Sequence, residues 1–168
     1  MSARKTLISP VFLAVFVLTL VAAVAAIRSC DPQSSALPDT VAINGRTWRV
    51  DLATTDETRH KGLGGRASLP QDHGMLFIFG AAKPLDFYML DCKMAIDIAY
   101  IGADGKVIRT YTMQPQPGVA EEDLKLYPSV EPAQFALEVA GGELARAGIA
   151  PGQKVKFSPG IAPAKADP

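Results

Sequence analysis

Apolar positions along this chain fall into two kinds of pattern. From Thr6 to Ile27 there is no charged residue, and Val, Leu, Ala, Ile and Phe dominate all 22 positions. A helix of that length rises about 33 Å, against a hydrocarbon core of about 30 Å. Arg4 and Lys5 precede the run, and Ala23-Val24-Ala25 lies near its end. A basic start, an apolar stretch and small residues at its close predict a signal peptide or N-terminal membrane anchor over residues 1–29. The basic residues at the start orient the rest of the chain outside the cytoplasm in either case. Cys30 leaves a third option, a lipidated cysteine, which Arg28 opposes because a lipoprotein signal has no charge there.

The second pattern is a series of short runs separated by turns. Asp31–Pro38 is rich in Pro, Ser and Gln and reads as part of a linker over 30–38. Thr40–Ile43 and Thr47–Val50 flank Asn44-Gly45, the strongest short-range hairpin signal, because both turn residues must take positive φ. Thr54 to Leu63 carries a Thr cap and acids in its first turn, predicting a short helix that Gly64-Gly65 ends. Met75–Phe79 is wholly apolar and of strand length. Leu85–Leu90 reads as another strand. Asp97–Ile101 and Lys106–Thr112 flank Asp104-Gly105 as a second hairpin. A long loop runs from Pro115 to Pro132 and is read as functional or mobile. Phe135–Val139 is a strand, Glu143–Ala147 a turn or two of helix, and Gln153–Phe157 a final strand. Many short strands and little helix predict a mainly β fold, an antiparallel jelly-roll-like sandwich or barrel with one or two short helices. The folded body spans 39–157, and the Pro/Ala/Gly-rich stretch 158–168 reads as a disordered tail.

Charge narrows the function classes. Lys+Arg and Asp+Glu are both 17. Residues 1–30 hold Arg4, Lys5 and Arg28 and no acid, so the remainder has 14 basic and 17 acidic residues, a net charge of −3. A nucleic-acid binder usually shows a basic excess, so no nucleic-acid partner is expected. Two cysteines and two histidines give no metal-ligating motif, and no cofactor is implied.

Asp97 and Glu138 each sit in an apolar strand. Desolvation raises a carboxyl pKa toward general-acid use. A close pair across a shared cleft would suit a hydrolase acting on glycosides. The simpler alternative pairs them with Arg59 and Arg66 as structural ion pairs. Arg59 and Arg66 could also fork onto a carboxylate or phosphate. Phe87, Tyr88, Tyr100 and Tyr111 could form a platform for flat ligands, although buried aromatics are more often core. Cys92 reads as a packing residue.

Several strings occur together in order: Arg59-x-x-Gly62-Leu63-x-x-Arg66, Gly74-Met75-Leu76-Phe77, Phe87-Tyr88-Met89, Ile96 to Ile101, Leu137 to Gly141, Gly148-Ile149 and Gly152. Over roughly residues 41–157 this set resembles the bacterial and archaeal family called domain of unknown function 192. The resemblance implies a mainly β, jelly-roll-like domain, often exported, with no established activity. The chain departs from the family pattern at Gly64, Tyr88, Leu90, Asp91, Cys92 and Ala95. The family usually has Phe-Trp-Met-Lys-Asn-Thr where this chain has Phe87 to Cys92.

The expectation is therefore an exported cell-envelope domain, periplasmic or anchored to the cytoplasmic membrane facing outward. It binds a small molecule, glycan or partner protein without catalysis, and touches the membrane only through its N-terminal segment. Candidate contacts are Arg59, Arg66, Tyr88, Asp91, Asp97 and Glu138. The rivals are a hydrolase using Asp97 and Glu138, and an envelope scaffold.

Overall fold

Asn44 and Gly45 take φ of 49° and 80°. That turn folds β1 (Thr40–Ile43) back onto β2 (Arg46–Ala53), with Ile43 opposite Arg46. A computed structural model describes residues 38–161. The stretch expected to be a signal or anchor, Cys30, most of the expected linker and residues 162–168 lie outside the described residues.

After β2 comes α1 (Asp56–Lys61), one residue later than its first Thr suggested. Thr55 caps it: its hydroxyl accepts from the Thr58 N–H while its own N–H donates to Thr58 Oγ1. The helix stops at Gly62, at φ 48°, before the Gly64-Gly65 pair. β3 (His73–Lys83) then pairs with β2 in parallel. This is the one departure from an all-antiparallel sheet, and its cause is the α1 crossover, which returns the chain to the same end of the sheet. Then follow β4 (Asp86–Phe87), β5 (Ile96–Ile101), β6 (Val107–Met113), a 3-10 turn (Glu121–Asp123), β7 (Tyr127–Pro128), β8 (Ala133–Ala140), α2 (Glu143–Arg146) and β9 (Val155–Phe157).

Seven strands form one sheet in the order β6-β5-β8-β3-β2-β1-β9, and β4 pairs with β7 apart from it. The sheet curls until its two edges meet at one end. There the Val107 N–H donates to Gln153 O at 2.9 Å, and the Val155 N–H to Gly105 O at 2.8 Å. Barrel-like closure of this kind leaves less open strand edge. The mainly β architecture expected from the sequence is thus present.

Two core clusters occupy opposite faces of the sheet. Trp48, Leu76, Phe135, Leu137 and Val139 fill the concave face, with Leu144 of α2 over them. Phe77, Ile98, Tyr100, Met113 and Ala136 lie on the other face, under Leu85, Met89 and Tyr127 from the connecting segments. All six residues of β5 are buried. Central strands covered on both faces lose the polar–apolar alternation of a half-exposed strand. Both clusters are built within residues 38–161, which fall in one compact unit, so this part carries its own core.

Three expectations need correction. The strand read over Leu85–Leu90 is only Asp86–Phe87, because Asp91 turns the chain at φ 52°. The Pro115–Pro132 segment is not wholly a loop: it contains β7, and Leu124 and Tyr127 are buried over the outer core. The tail does not begin at Ser158. The Ser158 N–H donates to Thr40 O, and Ile161 is buried in the concave core. No helix among the described residues is long and apolar enough to cross a membrane.

Candidate functional site

Strand register decides how the two carboxylates relate. Asp97 of β5 lies opposite Val139 of β8, and Ile98 lies opposite Glu138. Directly opposed residues share a face and successive residues alternate. Asp97 therefore points to the concave face and Glu138 to the outer one. The two therefore share no cleft, and a hydrolase that uses Asp97 and Glu138 as a pair is ruled out. Neither carboxylate pairs with Arg59 or Arg66 either, whose partners are Asp56 at 2.6 Å and Asp51 at 2.7 Å.

Asp97 has a structural task. Gly142, at the N-cap of α2, has no side chain with which to cap it. Asp97 does so from another element: one oxygen accepts from the Leu144 N–H at 2.9 Å and the other from the Thr112 hydroxyl at 2.7 Å. It is buried, with 1% exposure. Asp97→Ala is expected to cost about 2 kcal/mol, since it removes a cap and orphans a buried N–H. Urea denaturation checks this.

Glu138 lies at the floor of a cavity of about 200 Å³. Phe77, Phe79, Phe87, Leu63 and Leu90 supply apolar wall, and Cys92 adds its thiol. Arg59, His60 and Lys61 of α1, with Asp86 and Tyr88, supply the polar wall. Glu138 is 4% exposed and has no hydrogen-bond or ion-pair partner among the described residues. Burial alone pushes its carboxyl up to about 8. The acid is therefore mostly protonated at neutral pH, as expected of a carboxyl that burial has largely stripped of solvent and that no cation pairs with.

The other candidates divide around this cavity. Arg59 braces the wall: its guanidinium donates to Thr54 O and Ile78 O, pairs with Asp56, and stacks 5.1 Å from the Phe79 ring centroid. That contact holds the Asp56 carboxyl below the usual range, first through the hydrogen bond and then through charge. Tyr88 closes one side, its hydroxyl 3.3 Å from Glu121 and 3.5 Å from His60 Nδ1. Partial burial, then the Glu121 charge, pushes the Tyr88 phenol up. Asp91 does not line this cavity. Its left-handed backbone offers a carbonyl to the Gly65 N–H at 3.0 Å, which ties the 90–92 turn to the end of α1. Asn, usual at this position in the resemblance, tolerates that conformation equally. At the same junction a Cβ on Gly64 would stand 3.0 Å from Lys61 O and 3.1 Å from Leu90 O. Arg66 reaches Asp51 on the surface, away from the cavity. Burial, with Glu138 and Asp91 nearby, pushes the Cys92 thiol up to about 11, which fits packing rather than reactivity.

The aromatic platform resolves into a chain of edge contacts running from Phe77 through Phe87, Tyr100 and Tyr111 to Tyr127. The Tyr100 hydroxyl donates to Tyr127 O, and Tyr111 donates to Pro128 O at 2.8 Å. Only Phe87 and Tyr88 of the four named aromatics reach the cavity. The residues that sequence reasoning missed are His60, Lys61, Phe77, Phe79 and Asp86. A signal for some of them was present, since His60 and Lys61 follow Arg59 in the same short helix. A wider, more open hollow of about 480 Å³ at the β5–β6 turn has its Asp104 and Lys106 paired with each other at 2.9 Å. No group of three or more His, Cys, Asp or Glu able to hold a metal occurs among the described residues.

Comparison with known families matches residues 39–157 to domain of unknown function 192, described as "Uncharacterized ACR". The chain belongs to this family. The strings Gly74-Met75-Leu76-Phe77 and Leu137 to Gly141, read above as part of the resemblance, form the β3–β8 pairing beneath the cavity. Two solved structures are similar. A protein of Sinorhizobium meliloti, described as a proposed transcription regulator, is 30% identical with a TM-score of 0.62, covering 71% of this chain and 92% of that one. A protein of unknown function from Novosphingobium aromaticivorans is 32% identical with a TM-score of 0.62, covering 75% of this chain and 89% of that one. None of the curated proteins compared matches the chain.

Proposed function

We propose that this member of the family is an exported, non-catalytic envelope domain that binds a small molecule in the cavity floored by Glu138. One observation carries the reading: an almost fully buried carboxyl with no partner forms the floor of a concave, largely apolar cavity. Buried polar groups nearly always find a partner, so a lone one in a cavity points to a partner that arrives from outside. The size fits, since a cavity of about 150 Å³ accepts a benzene ring and this one is larger. Catalysis draws less support, because Asp97 lies on the other face and the Cys92 thiol stays protonated. Export rests on the charge-free run after Arg4 and Lys5. Binding of nucleic acid fits poorly with a net charge of −3 outside residues 1–30.

The test is amide NMR on residues 38–168 against mixtures of single-ring compounds. At least one compound should shift the amides of Gly62, Gly64, Phe87 and Glu138 and raise the melting midpoint, and Glu138→Leu should remove both effects. Shifts confined to other surfaces would move the site away from this cavity and sink the proposal.

A further inference from the structure

We infer that the ligand is a neutral compound with one ring and a hydrogen-bond acceptor, of carboxamide type, that accepts from the Glu138 carboxyl. This rests on the cavity being the binding site, and it names what the cavity selects. The floor needs a partner for an O–H and for a second oxygen. A carboxamide offers both, since its carbonyl accepts and its N–H donates. The walls need apolar surface, which an aromatic or saturated ring supplies.

Charge decides against the alternatives. The groups around Glu138 come from every neighbouring element. Tyr100 of β5 gives its hydroxyl to Tyr127 O. The 90–92 turn brings the Cys92 thiol, which burial keeps protonated. At the mouth, α1 brings Arg59, His60 and Lys61, and β4 brings Asp86. None of these donates to Glu138. An ammonium ligand would have to ionise a carboxyl that burial holds neutral, and at the mouth Asp86 only offsets Lys61. Buried ion pairs roughly break even against desolvation, so that route gains little. An anionic ligand could use Lys61 at the mouth, but its charge would lose its hydration against Phe77, Phe79 and Phe87. A neutral ligand avoids both costs.

Four probes of matched ring size separate these cases: benzamide, toluene, benzylammonium and benzoate, titrated by calorimetry and amide NMR into residues 38–168. Benzamide should bind tightest at pH 7. Its affinity should fall about tenfold by pH 9 as a carboxyl near 8 ionises. At pH 8, titrations in two buffers of different ionisation heat should show uptake of about half a proton per benzamide bound. Glu138→Gln keeps a neutral donor at every pH, so it should bind benzamide within about threefold of the wild type at pH 7 and lose the pH dependence. The near-UV signal of the single Trp48 follows folding in each sample. Benzylammonium as the tightest probe, with proton release, would overturn the neutral class and leave the small-molecule reading standing. So would a Glu138→Gln variant that folds yet binds no benzamide. If none of the four shifts an amide around the cavity, both readings fall together.

Discussion

Raising the pH from 4 to 9 is expected to remove about 5 kcal/mol of folding stability through Glu138 alone. Burial holds this carboxyl near 8 in the folded protein, against an ordinary value of 4.5. A single pKa unit corresponds to about 1.4 kcal/mol. Between those two values the folded state keeps a proton that the unfolded state has released. Stability therefore falls with rising pH across this window, the reverse of the ordinary paired carboxylate. Below the window the contribution is fully present, and above it the loss is complete. Three exposed acids behave oppositely: Asp56, Asp72 and Asp104 are held low by hydrogen bonds from Arg59, His73 and Lys106. Their effects lie below the pH range in which Glu138 acts. Urea denaturation of wild type and Glu138→Gln from pH 4 to 9 isolates the term, because every other titration cancels in the difference. The variant should overtake the wild type progressively and lead by several kcal/mol at pH 9. Parallel curves would mean that Glu138 is solvated or partnered, and the cavity argument would lose its main support. A buried carboxyl that lowers stability as the pH rises is the kind expected where function, not stability, sets the choice.

Gly74→Ala is expected to cost about 3 kcal/mol, at the upper end of what overpacking usually does. A Cβ at Gly74 would stand 2.6 Å from the backbone oxygen of Glu138 and 3.1 Å from Val139 Cγ1. Neither contact is the free end of a flexible chain. The backbone oxygen belongs to the β3–β8 pairing, where Gly74 lies opposite Val139. Relief must come from moving one of two central strands, so the cavity floor should move with it. Gly80→Ala is the control on the same strand, since a Cβ there meets nothing within 4 Å. It should change stability by less than about 0.5 kcal/mol, as ordinary surface substitutions do. Denaturation midpoints compare the two, and amide shifts at Glu138 report whether the floor was displaced. Equal stability in the two variants would show that β3 and β8 are not in this close register.

Local chemistry explains how much of this fold could be read from the chain. Asn44-Gly45 and Asp104-Gly105 announce their hairpins because each turn conformation is a property of those residues. Thr55 caps α1 through contacts three residues away. Met75–Phe79 and Phe135–Val139 are apolar throughout because both faces of a central strand are covered. The ordered strings from Arg59 to Gly152 were enough to point to the family. Each of these signals depends on neighbours within a few positions, or on residue type and spacing alone.

The site depended on contacts that spacing does not encode. Asp97 and Glu138 looked alike, each a carboxylate within an apolar strand. Register between β5 and β8 sends one to cap α2 and the other to the floor of a cavity. A shift of one residue in that register would exchange their faces. Arg59 and Arg66 looked like a pair and instead take separate acids, one bracing the cavity wall and one on the surface. The parallel β2–β3 pairing, the edge closure at Val107 and Val155, and the cover formed by the long loop all join residues far apart in the chain. From the sequence alone came the class of fold, its turns, its family and the residues able to carry charge. Which of those residues is desolvated, paired or left open to a ligand was decided only by the tertiary structure, because desolvation and partnership are properties of the packed neighbourhood.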